Sequence, residues 1–312
     1  MTYRTFDGTS QSETVTLGRY SGSKVGVSDG STVQGALYFS DDIDTGIYSP
    51  SNGQIAFSTN GTERLKIDED GAITFTGELS FSDAQYNTVI GTNAGDSFDG
   101  TTAQNNTLIG YDAGTAITQG DYNTAVGKSA LTASTTATGN TALGYQALRL
   151  TTGSNNTALG TSALENNAGG ENNVAVGIDA LQDNTSGDYN IAIGAKCLEI
   201  GTGADKNTAV GSLALQDCTA SNNTAVGYLA GGDTTSGTGF VAVGYHAARE
   251  QTTGDNNTAV GNTALYWNHY GDRNTAIGAE AGYSLAPSDG NGDCTFVGYR
   301  AGYDVTGVHN TH

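Results

Sequence analysis

The chain has 312 residues, 46 of them Gly and only 2 Pro, and charged residues make up 14% against roughly 25% in an ordinary soluble domain. Its net charge is −20, and it has no cluster of Lys and Arg to displace the counterions of a nucleic acid, so a nucleic-acid partner is excluded. No apolar run approaches the ~18 residues of a membrane span, and Cys197, Cys218 and Cys294 have neither the even count of a disulfide framework nor the paired spacing of a zinc site. Abundant Thr, Val and Ile separate the chain from disordered, charge-rich sequences and point to an ordered, repetitive all-β protein. Met1 is followed by polar residues rather than a secretory leader, so synthesis in a cytoplasm and departure as part of something larger are expected.

In chain order, residues 1–30 are rich in Gly, Ser and Thr and read as an arm that orders on a partner. Residues 31–80 carry short apolar runs at Ala36–Phe39, Gly46–Ser49, Gln54–Phe57, Glu63–Ile67 and Ala72–Phe75. Asn60-Gly61 and Asp70-Gly71 fall between runs, where they favour tight reversals, so a small β-meander is expected.

Residues 81–312 are a repeat shaft whose unit opens Asn-Thr-Ala-Val-Gly-x-x-Ala-Leu. The first position is Asn87, Asn106, Asn123, Asn140, Asn156, Asn173, Asn190, Asn207, Asn223, Asn257 and Asn274, with Phe240 and Cys294 in the same role, at spacings of 16 to 20 residues. The fifth is always glycine: Gly91, Gly110, Gly127, Gly144, Gly160, Gly177, Gly194, Gly211, Gly227, Gly244, Gly261, Gly278 and Gly298. Asn310-Thr311 resembles a further opening. A unit of this length suits one coil of a parallel β-solenoid, read as two strands of four to five residues joined by two turns. About thirteen coils at ~4.8 Å give a stack of roughly 60 Å. The alternation reads as one buried face made by the second, fourth and eighth residues. The asparagines are expected to form a ladder that fixes register. On this reading the core is thin, and three copies must associate to cover it.

Candidate chemistry is sparse, and neither a catalytic site, a metal site nor a cofactor is expected. Asp44-Thr45-Gly46 matches the aspartic-protease tripeptide, but that chemistry needs two carboxyls sharing a proton. Asp41, Asp42 and Asp44, and likewise Asp68, Glu69 and Asp70, lack the ligand spacing of a calcium loop. His246, His269, His309 and His312 are scattered, and Cys197 and Cys218 read as small buried residues. The stretch Tyr266-Trp267-Asn268-His269-Tyr270 replaces the usual Thr-Thr-Gly loop and contains the only Trp. Tyr266, Trp267, His269 and Tyr270 are therefore the candidate receptor contacts, because exposed aromatic side chains dominate binding hot spots.

The words Gly35–Phe39, Asp44–Pro50 and Ile55–Ile67 resemble a module of bacteriophage tail-fibre proteins, and the repeats resemble the arrays that follow it there. The repeats are also similar to the heads of trimeric autotransporter adhesins, which are left-handed parallel β-rolls. The resemblance implies a homotrimeric virion fibre in which the N-terminal region meets tail or baseplate proteins. Its target would be a host cell-surface polysaccharide or protein. It also implies a self-cleaving trimerisation chaperone, and nothing in the chain matches one. A bacterial trimeric surface adhesin and a head (capsid) fibre remain alternatives, and a depolymerase would need paired carboxylates in a groove. An ice-binding solenoid is disfavoured because the expected alternation turns Thr inward.

Overall fold

The computed structural model describes residues 37–39, 42–76, 83, 85–98, 100–285 and 292–305. The N-terminal arm, Asp41, His309, His312 and Asn310-Thr311 lie outside the described residues. Among the described residues the secondary structure is all strand and turn, in two compact units divided between residues 80 and 81.

The first unit is a five-stranded antiparallel meander in sequence order: β1 (Leu37–Phe39), β2 (Asp42–Tyr48), β3 (Ile55–Thr59), β4 (Thr62–Ile67) and β5 (Ile73–Phe75). Asn60 and Gly61 reverse the chain between β3 and β4 with φ of 50° and 63°, the left-handed pair that matches strand twist. Asp68 Oδ1 accepts from the backbone N–H groups of Asp70 (3.1 Å) and Ala72 (2.8 Å) and so shapes the next turn. The register places Leu37, Ile47, Phe57, Leu65 and Phe75 opposite one another in one row, with Ile55, Ile67 and Ile73 in a second. Leu37, Ile55, Phe57, Ile73 and Phe75 on that face are exposed. On the other face Tyr48, Ala56 and Ser58 are buried, and the Tyr48 hydroxyl donates to Glu63 Oε2 at 2.8 Å. Burial and that carboxylate push the Tyr48 hydroxyl up to about 12.

The second unit is a parallel β-solenoid. Thirteen three-residue strands, from Thr88–Ile90 to Thr295–Val297, stack in strict sequence order, each residue over its equivalent in the next coil. The twelve steps between them span roughly 58 Å at ~4.8 Å each. Ser284–Leu285 and Asp304–Val305 add a two-residue parallel pair.

The first eleven coils have one strand each, where the repeat suggested two, and the last two add only the short second pair. The half-coil after the fifth glycine is a chain of turns because its seventh residue takes φ near +55°, as does a ninth residue such as leucine. Ser129 (57°) and Leu131 (55°) in one coil are followed by Gln146 (58°) and Leu148 (52°) in the next. No strand accommodates such residues. The turns still stack through backbone bonds: Ser129 N–H donates to Tyr111 O (2.9 Å) and Leu131 N–H to Ala147 O (3.0 Å). Glycine at the fifth position is required twice over. Gly127 has φ of +136°, and a Cβ there would stand 2.7 Å from the carbonyl carbon of Gly144.

The strands bury the third residue: of the expected inward set the eighth residue is buried, as in Ala130, Ala147 and Ala163, while the second and fourth were one residue out of phase. Ala125, Ala142, Ala158 and Ala175 are fully buried, while the flanking second and fourth residues point outward. A one-residue change of phase exchanges the faces of a strand. Here the inside of the coil is already occupied. It receives Asn at position one, Ala at three and eight, and Leu at nine, such as Leu131, Leu148, Leu164 and Leu181. The interior is therefore filled within one chain rather than thin, and the case for association passes to the outer face.

Where the ninth residue is Gly, a larger side chain enters from elsewhere. Leu108 and Ile117 fill the space beside Gly114, Phe240 that beside Gly231, and Phe296 that beside Gly282. Interiors packed to crystal-like density conserve volume in this way.

Candidate functional site

The eleven asparagines of the first position form one buried column. The Oδ1 of Asn123 accepts from the backbone N–H of Asn140 (2.9 Å), that of Asn140 from Asn156 (2.9 Å), and that of Asn156 from Asn173 (3.0 Å). From Asn87 to Asn257 each Nδ2 crosses the coil to a carbonyl near its closing turn: Asn140 to Gly153 O (2.9 Å), Asn156 to Gly170 O (2.8 Å), Asn190 to Ala204 O (2.6 Å). Phe240 takes its place by donating its N–H to Asn223 Oδ1 (3.1 Å), and Cys294 likewise to Asn274 Oδ1 (3.1 Å). A buried column bonded in this way sets register and is closed to external ligands. The twelfth position adds two short polar pairs not anticipated from the repeat, Asn167 with Asn184 and Gln251 with Asn268, separated by Gly201, Cys218 and Thr234. Asn167, Asn184, Gln251 and Asn268 are buried there, and each donates to a glycine carbonyl three residues on. The sequence signal was confined to those coils, since the twelfth residue is Ile117, Gly201, Cys218 or Leu285 in others.

The outer strand face has two columns. One runs Thr124, Thr141, Thr157, Val174, Ile191, Thr208 and Thr224 through its middle coils, and the other Val126, Leu143, Leu159, Val176, Ile193, Val210 and Val226. Ile90, Leu143, Leu159, Ile193, Ile277 and Val297 are between 40% and 59% exposed in the single chain.

The candidate contacts Tyr266, Trp267, His269 and Tyr270 come together, and they belong to a longer row. Tyr228 stacks on Tyr245 (ring centroids 5.7 Å apart), Tyr245 on His246 (4.0 Å), and His246 on Tyr266 (5.9 Å). Tyr266 then stacks on Tyr283 (5.3 Å) and Tyr283 on Tyr303 (4.9 Å). Trp267 stands edge-on to Tyr266 (5.1 Å), and His269 joins it to Tyr270. Sequence reading missed Tyr228, Tyr245, His246, Tyr283 and Tyr303 because only the stacking of coils makes them neighbours.

Charged groups flank the row. Arg249 Nη1 donates to the Tyr266 hydroxyl (3.0 Å), and its Nε lies 3.7 Å from Asp233 Oδ2. Burial, then Asp233, holds the Glu250 carboxyl above its usual range, and the two carboxyls share a hydrogen bond. Burial, then Asp233 and Glu199, does the same to Asp217. Burial, followed by Arg249, holds His246 below its usual value.

The other sequence candidates are structural. Asp44-Thr45-Gly46 lies within β2, where Asp44 O accepts from Gly61 N–H (3.1 Å) and Thr45 Oγ1 from Asn60 N–H (3.3 Å). Cys197 and Cys218 are buried, and burial pushes the Cys197 thiol up to about 12. Among the described residues, no group of three or more His, Cys, Asp or Glu side chains is placed to hold a metal ion. No helix among them is long and apolar enough to cross a membrane.

The fold defines the chain as a parallel β-solenoid repeat protein preceded by a small antiparallel sheet. Comparison with protein-family models, curated proteins and solved structures gave no match.

Proposed function

We propose that the chain is the shaft of a homotrimeric virion fibre, a phage tail fibre or spike that attaches the particle to its host. The observation that carries this reading is the outward double column of Thr/Val and Val/Ile/Leu along thirteen stacked strands. A continuous apolar stripe of this kind marks an association surface. Cyclic packing of three copies covers every stripe and leaves none free to propagate. The exposed apolar face of the meander calls for the same cover, since so small a sheet has little core of its own. Residues 1–30 would meet tail or baseplate proteins, and the aromatic row would face the host surface.

Immunogold labelling with antibody to this chain tests the reading. Gold on the tail filaments of phage particles is expected. Gold confined to a bacterial surface would overturn it in favour of an adhesin, and gold on the capsid in favour of a head fibre.

The outward Thr column supports a second reading, an ice-binding face, since Thr does not turn inward as the repeat suggested. The adjoining column varies from Val126 to Leu143 to Ile193. Another protein chain fits that variation better than a crystal lattice does. Thermal hysteresis above a control protein would favour ice.

A further inference from the structure

We propose that Asn52, in the turn between β2 and β3, is a site of spontaneous deamidation, while Asn60, in the next turn, is held closed to the same reaction. The site belongs to the meander alone and stands whether or not three chains associate.

Both asparagines precede a glycine, and both are exposed. A glycine amide is the least hindered nucleophile a chain offers, since no Cβ shields it. In the reaction the nitrogen of the following residue attacks the side-chain Cγ. A C–N bond closes a cyclic imide, the Cγ–Nδ2 bond breaks, and ammonia leaves carrying the amide proton. Water from the solvent then opens the ring at either carbonyl, giving aspartate or isoaspartate. The step needs a backbone amide that can lose its proton and a side chain free to turn back onto it.

That amide separates the two sites. Gly61 N–H donates to Asp44 O (3.1 Å), and Asn60 N–H to Thr45 Oγ1 (3.3 Å), so the second turn is pinned to β2. Ser51 to Gln54 form a turn closed by Gln54 N–H on Ser51 O (3.1 Å), with Gly53 in third place at φ of 77°. The Gly53 N–H and the Asn52 side-chain amide have no hydrogen-bond partner among the described residues.

The product disturbs its surroundings. Isoaspartate carries the main chain through Cβ, so one more carbon enters a turn that the Ser49 hydroxyl also bridges, donating to Ser51 O (2.9 Å) and Gln54 O (3.0 Å). Either product adds a carboxylate beside the turn of Asp68, Glu69 and Asp70. Gly53 packs on that turn so closely that a Cβ there would stand 3.0 Å from Glu69 Cβ. Like charges so placed repel, and the Asn52 turn loosens as the chain ages.

The full chain is incubated in mildly alkaline buffer, folded and in parallel unfolded in urea. Peptide mass spectrometry follows it, with fragment ions that separate Asn52 from Asn60 and isoaspartate from aspartate. In the folded chain Asn52 should convert at least about tenfold faster than Asn60, because a hydrogen-bonded amide must open before it reacts. In urea the two should convert at like rates, since glycine follows both. Asn52→Gln should leave that position unconverted in the folded chain, with unchanged circular dichroism. The converted parent, separated on an anion exchanger by its added charge, should exchange the Gln54 amide hydrogen at least about tenfold faster than the unconverted form.

Conversion of Asn60 as fast as Asn52 in the folded chain would overturn the proposal. So would a folded chain in which neither converts while both do in urea, because the Asn52 turn would then be as closed as its neighbour. A Gln54 amide equally protected before and after conversion would overturn the loosening. None of these outcomes depends on chain stoichiometry, so the fibre reading stands or falls separately.

Discussion

Removing one rung of the asparagine column tests how the solenoid is held together. In Asn173→Ala, the N–H of Asn190 loses its acceptor, Asn173 Oδ1, at 2.8 Å. The same change deletes the bonds from Asn173 Nδ2 to Gly187 O (2.8 Å) and to Asn156 Oδ1 (3.2 Å). Gly187 O keeps Asn184 as a donor (2.8 Å), and Asn156 Oδ1 keeps the N–H of Asn173 (3.0 Å). The orphaned group is therefore the buried Asn190 N–H. Stranding it costs ~1–3 kcal/mol, and the three further lost bonds, which include that from Asn190 Nδ2 to Asn173 Oδ1 (3.1 Å), add ~0.5–1.5 kcal/mol each, so the variant should lose about 3–7 kcal/mol. Stability in a stack resides in nearest-neighbour interfaces, so the damage should be local. Urea unfolding gives the total, and hydrogen exchange should show the Asn190 amide deprotected while that of Asn223 is not. The exposed Thr161→Ala serves as control, expected within ~0.5 kcal/mol of the parent. A loss under ~1 kcal/mol, with the Asn190 amide still protected, would refute the assignment of register to this column.

Other expectations follow from the same packing. Gly177→Ala places a Cβ 2.7 Å from the carbonyl carbon of Gly194 at φ of +137°, and thermal melts should show a loss of at least ~2 kcal/mol. Phe240 and Gly231 share one interior space, so Phe240→Asn and Gly231→Leu should each destabilise, by ~3–5 kcal/mol for the former. The double variant rebuilds the common coil and should return to within ~1 kcal/mol of the parent, a coupling that a double-mutant cycle measures. Glu250 keeps its proton in the fold after the unfolded chain has lost it. Its contribution is therefore fullest below about pH 4 and is lost as pH rises through its raised value. Glu250→Gln should raise the melting temperature at pH 7 and leave it unchanged at pH 3.5; an equal shift at both would refute this.

The repeat made the architecture legible because two residue types have no substitute. Only Gly takes φ near +140° against a neighbouring carbonyl, and Asn alone in its column both accepts and donates across a coil. The phase of the strand was not legible. Thr157, Ala158 and Leu159 alternate in the same way whichever set faces inward, and hydrophobicity favours the wrong one. The answer lies in volume, since Leu164 from the ninth position fills the space that Leu159 would need. The second expected strand failed on backbone conformation, because Leu at φ near +51° is rare enough that nothing in the sequence announces it. Trp267 stood out as the only Trp, whereas Tyr245, Tyr266 and Tyr283 are brought together only by the coil period.

The central claim is that the outward Thr/Val face is covered by sibling chains. Light scattering of the purified full chain measures this most directly. A mass three times 31.8 kDa, stable to dilution and mild denaturant, is expected. A compact monomer of 31.8 kDa with the same β-sheet circular dichroism would contradict it.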